Sequence, residues 1–177
     1  MVSQQDRQLA QRRALKLLEI GHIAVSANEG ATMEVADFGL GRLEEIGLEL
    51  LVYVNTDRYC AKELVLFSGQ ICPQHRHPPI DGRVGKEETF RCRWGTVYLY
   101  TEGAATERPK GVVPEDKAST FTVWHERILR PGDQWTIPPN TWHWFQGGPD
   151  GAIVSEFSST SDDATDVFYD PAIQRVP

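Results

Sequence analysis

The sequence predicts an all-β fold, an antiparallel sandwich or barrel, with an N-terminal helical extension. Two observations predict it. From Leu48 onward, short runs rich in Val, Leu, Ile, Tyr, Phe and Trp alternate with clusters of Gly, Pro, Asp and Asn, the pattern of strands divided by turns. Ahead of that point a single stretch keeps helical spacing: Leu9, Ala10, Ala14, Leu17 and Leu18 recur between Asp6 and Ile20, and Gly21 is placed to stop the helix.

In chain order, the amphipathic helix is expected to pack against the rest of the molecule and to take no part in catalysis. The Gly-punctuated stretch from Asn28 to Gly47 carries no assigned element. Strands are predicted at Leu48–Val54, Glu63–Phe67, Glu88–Arg93, Thr96–Tyr100, Phe121–Leu129, Gln134–Ile137, Trp142–Gln146 and Ala152–Ser158. Short strands at such spacing suit a closed antiparallel architecture. Ser158–Asp166, rich in Ser, Thr and Asp, reads as an exposed connection before a last apolar patch at Val167–Tyr169. Residues 1–47 are thus expected to be an extension packed on a barrel of residues 48–177, within one structural domain.

Composition narrows the function. A net charge of -7 leaves no basic footprint for nucleic acid or anionic lipid. Cys60, Cys72 and Cys92 are odd in number and lack CxxC spacing, which predicts free buried thiols in a reducing compartment. Asp6, Arg7, Arg12 and Arg13 interrupt any leader-like apolar run, and no stretch approaches the ~20 apolar residues that span a bilayer. The expectation is a cytoplasmic, soluble protein.

Three imidazoles and a carboxylate carry the chemistry. Gly69-x5-His75-x-His77 leads to Glu88-x6-Gly95, and Gly132-x5-Pro138-Pro139-Asn140-x2-His143 follows later. Neutral imidazole and carboxylate are ligands for divalent first-row metals. Residues two apart on a strand share a face, so an extended segment turns His75 and His77 the same way. Pro78-Pro79, Asp81-Gly82 and Gly85 are turn signals, and a hairpin there would bring Glu88 back beside the histidines. Pro78, Pro79, Pro138 and Pro139 are expected to stiffen the turns that hold the ligands.

These two segments resemble the paired signatures of the cupin superfamily, G-x5-H-x-H-x3-4-E-x6-G and G-x5-P-x-G-x2-H-x3-N. Three departures stand out. Ten residues separate His77 from Glu88, Asn140 replaces the motif's Gly, and Gly147 replaces its closing Asn. Asn is a tolerable substitute because it visits left-handed backbone. Glu87 rivals Glu88, but only Glu88 preserves the x6 spacing to Gly95. Within the cupins, Cys72-Pro73-Gln74-His75-Arg76-His77-Pro78, Gly85-Lys86-Glu87-Glu88 and Pro138-Pro139-Asn140-Thr141-Trp142-His143 together are similar to the bacterial D-lyxose isomerase family. The likeness covers roughly residues 58 to 158.

The resemblance implies a cupin-type antiparallel β-barrel or jelly roll. It implies manganese bound by His75, His77, Glu88 and His143, with Fe2+, Co2+, Ni2+ and Zn2+ as alternative ions. It also implies interconversion of an aldose with its 2-ketose: D-lyxose with D-xylulose, or D-mannose with D-fructose, through an enediol. By the same analogy the partners are a sugar substrate and a second copy of the chain in a homodimer. Two other functions share this ligand set, an iron-dependent cupin dioxygenase and a non-catalytic sugar-binding cupin.

Isomerisation needs a base that moves a proton between C2 and C1. Glu156 is the first candidate, on the predicted strand Ala152–Ser158, where the family places a functional carboxylate. The opposing reading is an exposed strand carboxylate. Lys86 is a candidate for stabilising an oxyanion or shuttling a proton, with a solvated hairpin lysine as its opposite, and Lys62 is a weaker candidate. His22 is expected to be structural, at the helix end. His125 has a minor claim to line the pocket. Of Trp94, Trp124, Trp135, Trp142 and Trp144, one is expected to touch substrate and the others to be core.

Overall fold

Among the described residues, nine strands form one sheet that folds back on itself, because its two longest strands each take part in both halves. The computed structural model describes residues 2–175. The elements are α1 (Gln4–Ile20), α2 (Ala27–Thr32), β1 (Glu34–Ala36), β2 (Leu48–Asn55), β3 (Cys60–Leu66), β4 (Ile71–Arg76), β5 (Glu88–Thr101), β6 (His125–Leu129), β7 (Gln134–Ile137), β8 (His143–Ser158) and β9 (Val167–Phe168). Short 3₁₀ turns lie at Glu115–Thr120 and Asp163–Thr165.

α1 is capped at its start and packs one face on the sheet. Ser3 caps α1 by accepting from the Asp6 amide, which satisfies one of the helix's free donors and starts the helix two residues before the predicted Asp6. Ala10, Ala14 and Leu18, at successive i+4 positions, are buried against Leu51, Val65 and Ile153 of the sheet. Truncating a buried leucine such as Leu18 costs about 2–5 kcal/mol. A Cβ at Gly21 would stand 2.6 Å from Ile153 Cδ1, so glycine lets the chain leave the helix close against the sheet.

The stretch from residue 28 to 47 also contributes to the sheet. β1 pairs with β2, with Val35 opposite Glu49, so the extension adds an edge strand as well as packing from outside.

Two pairs of predicted strands are continuous in the structure. β5 runs unbroken through Gly95, and β8 runs through Gly147–Gly151. Their register slips between Gly95 and Val97. Gly95 adopts a φ of +70°, and a Cβ there would meet the Gly151 carbonyl oxygen at 2.1 Å. Glycine therefore absorbs a bend without ending the strand. On one side of the bend β8 pairs with β3; on the other it pairs with β4. β5 likewise pairs with β7 on one side and with β6 on the other. The two halves enclose the main core, which includes Leu50, Leu64, Phe90, Val97, Leu99, Phe145 and Val154.

One predicted strand is shorter than expected. Of Phe121–Leu129, only His125–Leu129 pairs as β6. The amides of Thr122 and Val123 turn to the side-chain oxygen of Gln74 instead of a neighbouring strand. All three cysteines are free and buried. Among the described residues no helix is long and apolar enough to cross a membrane.

Candidate active site

The folded-back sheet brings distant residues to one point. His75, on β4, lies opposite His143 at the start of β8. Glu88 opens β5, and Glu156 stands near the end of β8 between Lys62 of β3 and Phe90 of β5. His77 follows β4 directly. Beyond it, Ile80 and Arg83 exchange both backbone hydrogen bonds. Asp81 and Gly82 between them have φ of 50° and 73°, the two-residue hairpin turn that demands positive φ twice. Gly85 returns so close to His77 that a Cβ would lie 2.0 Å from the His77 carbonyl oxygen. Asn140 takes the left-handed φ of 59°, and its amide donates to that same carbonyl at 3.0 Å.

One potential ligand atom from each of His75, His77, Glu88 and His143 falls within 4.8 Å of all the others, and all four residues are buried. Glu88 Oε1 lies 2.8 Å from His143 Nε2 and 3.4 Å from His77 Nε2. The rival Glu87 is exposed. Each histidine has its Nδ1 engaged: His75 with the Pro73 carbonyl at 2.8 Å, His143 with the Thr141 carbonyl at 2.9 Å, and His77 with the Asp166 carboxylate. That arrangement leaves Nε2 as the lone-pair face of each ring. His77 Nε2, His143 Nε2 and Glu88 Oε1 are buried without a hydrogen-bond partner. Buried polar atoms are rarely left so, and a divalent cation satisfies all three at once. The residues fit such an ion.

Electrostatics agree. Burial pushes the Glu88 carboxyl upward, but Lys86 and His77 outweigh it and hold it well below the usual carboxylate range. His77 also resists charging through burial, yet Glu88 and Asp166 push it up to about 9, so this is a site that attracts positive charge. His75 moves the other way, held well below the usual imidazole range by burial and by His143 and His77.

The proton-transfer candidates sit beside the cluster. Lys86 Nζ lies 2.7 Å from Glu88 Oε2 and 2.6 Å from Glu156 Oε1. Lys62 Nζ is 3.6 Å from the same Glu156 oxygen. Burial disfavours the Lys86 ammonium, but Glu156 and Glu88 hold its pKa above the ordinary lysine range. Glu156 is 3% exposed, which excludes the solvated-strand alternative.

Other residues lie elsewhere. His22 is exposed beyond α1, and His125 Nδ1 bonds the Ala104 carbonyl. None of the five tryptophans lines the cavity at the cluster, whose aromatic walls are Phe38, Phe90, Phe145 and Phe168. Trp144 is fully buried in a core with Tyr100 and Phe121, and Trp135 stacks under Arg127 on the surface.

Sequence reasoning missed Asp166. It lies in the segment read as an exposed connection, yet its side chain is only 9% exposed and is turned onto His77. The sole hint was the apolar run after it, which has to be tethered somewhere.

A family model described as D-lyxose isomerase matches residues 22–177. A D-lyxose ketol-isomerase from Thermofilum sp. is 60% identical over 168 residues, covering 95% of this chain and 93% of that protein. A D-lyxose/D-mannose isomerase from Thermosediminibacter oceani is 61% identical over 167 residues, covering 94% and 92%. Among solved structures, the L-ribose isomerase of Cellulomonas parahominis shares the fold at TM-score 0.80 and 15% identity, covering 97% of this chain and 94% of that one. The match along nearly the whole chain and the identity to its relatives give one answer: the chain belongs to the D-lyxose isomerase family, a family of sugar isomerases.

Proposed function

We propose that this enzyme is a divalent-metal-dependent aldose–ketose isomerase that converts D-lyxose to D-xylulose and D-mannose to D-fructose. His75, His77, Glu88 and His143 would hold the ion, with manganese our choice. When bound, the ion supplies Lewis-acid polarisation of the sugar's carbonyl. Glu156 removes the proton from C2 and returns it to C1, passing through an enediol, while the proton of the O2 hydroxyl is transferred to O1 as the carbonyl moves from C1 to C2. Lys86 supplies the opposite charge that a buried carboxylate needs, and its ammonium is available to a sugar oxygen on which negative charge develops. Lys62 backs Glu156 from the neighbouring strand.

The observation that carries this reading is Glu156: a buried carboxylate beside the ligand cluster, held at 2.6 Å by a lysine that also touches Glu88. A site built only to hold a metal or a sugar has no need of that pair. D-lyxose and D-mannose share the same configuration at C2, and both sugars are named among the relatives' activities.

The test is to incubate manganese-loaded protein with D-lyxose, and separately D-mannose, in deuterated water and follow the products by NMR. Ketose formation that a chelator abolishes, with deuterium at the transferred position, is the expected result. No ketose from either sugar, in protein shown to hold its metal, would overturn the proposal.

A further inference from the structure

Residues 159–175 form a strap across the mouth of the metal cluster. Asp166 of the strap bonds His77 Nδ1. Phe168 stacks on His75 with ring centroids 5.3 Å apart, while β9 pairs with β4, Phe168 opposite His75. Tyr169 donates its amide to Gln74. Arg175 ties the strap's far end to Glu34 and to Asp163. Beneath it, the cavity at the cluster measures about 30 Å³, the room of a single water and too little for a pentose. A second pocket of about 210 Å³ lies outside, and His77, Lys86 and Asp166 line both.

The three histidines differ in what fixes them. His75 and His143 find their acceptors two residues away, on Pro73 and Thr141. Those acceptors are present wherever the strap lies. The acceptor for His77 comes from 89 residues away in the chain, and only a closed strap delivers it.

We infer that Asp166 is a positioning residue acting through His77, so that metal loading and strap closure are one linked equilibrium. The inference rests on the metal reading above. With Asp166 in place, the His77 ring is held with its Nε2 lone pair toward the cluster; with the strap open, ring and tautomer are free. Linkage is reciprocal: the factor by which closure tightens the ion is the factor by which the ion favours closure. The same opening joins the outer pocket to the inner cavity and gives a sugar its route in.

The experiment measures Mn2+ affinity from the EPR signal of free Mn2+, and hydrogen exchange across residues 159–175 with and without Mn2+. It uses the full chain and its Asp166→Ala, Asp166→Asn and Arg175→Gln variants. Saturating Mn2+ is expected to slow strap exchange about 10-fold or more, and Asp166→Ala to weaken Mn2+ binding about 10- to 100-fold, the usual effect of losing such an outer partner. Asp166→Asn, which keeps an acceptor oxygen, should fall between. Arg175→Gln, which loosens the strap without touching His77, should weaken Mn2+ as well, and it decides the matter if Asp166→Ala does not fold. Unchanged affinity in the variants, or strap exchange indifferent to Mn2+, overturns the linkage and leaves the metal site standing. A native chain that binds no divalent ion overturns both.

Discussion

Lys86 Nζ lies 2.6 Å from Glu156 Oε1, with both side chains more than nine-tenths buried. The same ammonium reaches Glu88 Oε2 at 2.7 Å, so one cation joins the ligand cluster to the proposed base. Buried ion pairs are weak devices for stability because desolvation cancels much of their attraction, and their placement here argues for chemistry. Glu156→Gln keeps the shape and removes the basicity. We expect turnover of D-lyxose to fall by about 10²–10⁴, the range of general-base contributions, with bound manganese unchanged by elemental analysis. A variant that keeps near-native turnover sinks the role of Glu156.

Lys86→Met makes the opposite test. It leaves Glu88 and Glu156 buried without their shared cation, and breaking one side of a buried pair typically costs about 3–5 kcal/mol. The metal-free variant should lose stability of that order in urea titrations. Added manganese should recover part of it, because the ion neutralises the Glu88 carboxylate. Equal stability of variant and native protein in the absence of metal would mean that water, and not Lys86, balances these carboxylates.

Much of this arrangement was legible in the residues, for reasons that also explain the gaps. Strand periodicity set Ala152, Val154 and Glu156 on one face, and the core cluster does include Ala152 and Val154. What the pattern could not say was whether that face points inward along its whole length. The turn chemistry of Asp81-Gly82 was readable because only a few residues tolerate positive φ. Gly95 and Gly147–Gly151 misled for the same reason: glycine marks a strand's bend as readily as its end. Asp166 stayed hidden because its contact with His77 is purely tertiary, made by a polar segment that nothing local distinguishes from a loop.

Asn140 makes a sharper local prediction. Its φ of 59° costs an ordinary L-residue about 1–2 kcal/mol and glycine almost nothing. Asn140→Gly should melt close to the native protein, whereas Asn140→Val should lose about that much stability. Because the Asn140 amide holds the His77 carbonyl, the valine variant should also bind manganese more weakly. Valine tolerated as well as glycine in both measurements would show that the turn relaxes without strain.

Glu49 supplies a pH dependence far from the chemistry. It is fully buried on β2, where Gln70 Nε2 stands 3.3 Å from Oε1 and Oε2 has no partner. Burial pushes its carboxyl up to about 8, with Gln70 and Arg13 offsetting part of the effect and Glu44 adding to it. An unfolded glutamate titrates near ~4.3, so the folded state binds this proton more tightly than the unfolded state. The sign follows from linkage: the contribution is fully present below the unfolded pKa and is lost progressively as pH rises toward about 8. Above that, folding has to bury a carboxylate with a single weak partner. Glu49→Gln fixes the side chain in its neutral form. Urea denaturation between about pH 5 and 8.5 should find variant and native protein alike at the acid end, with the variant gaining steadily toward the alkaline end. Parallel curves across that range would show that a group other than Glu49 sets the slope.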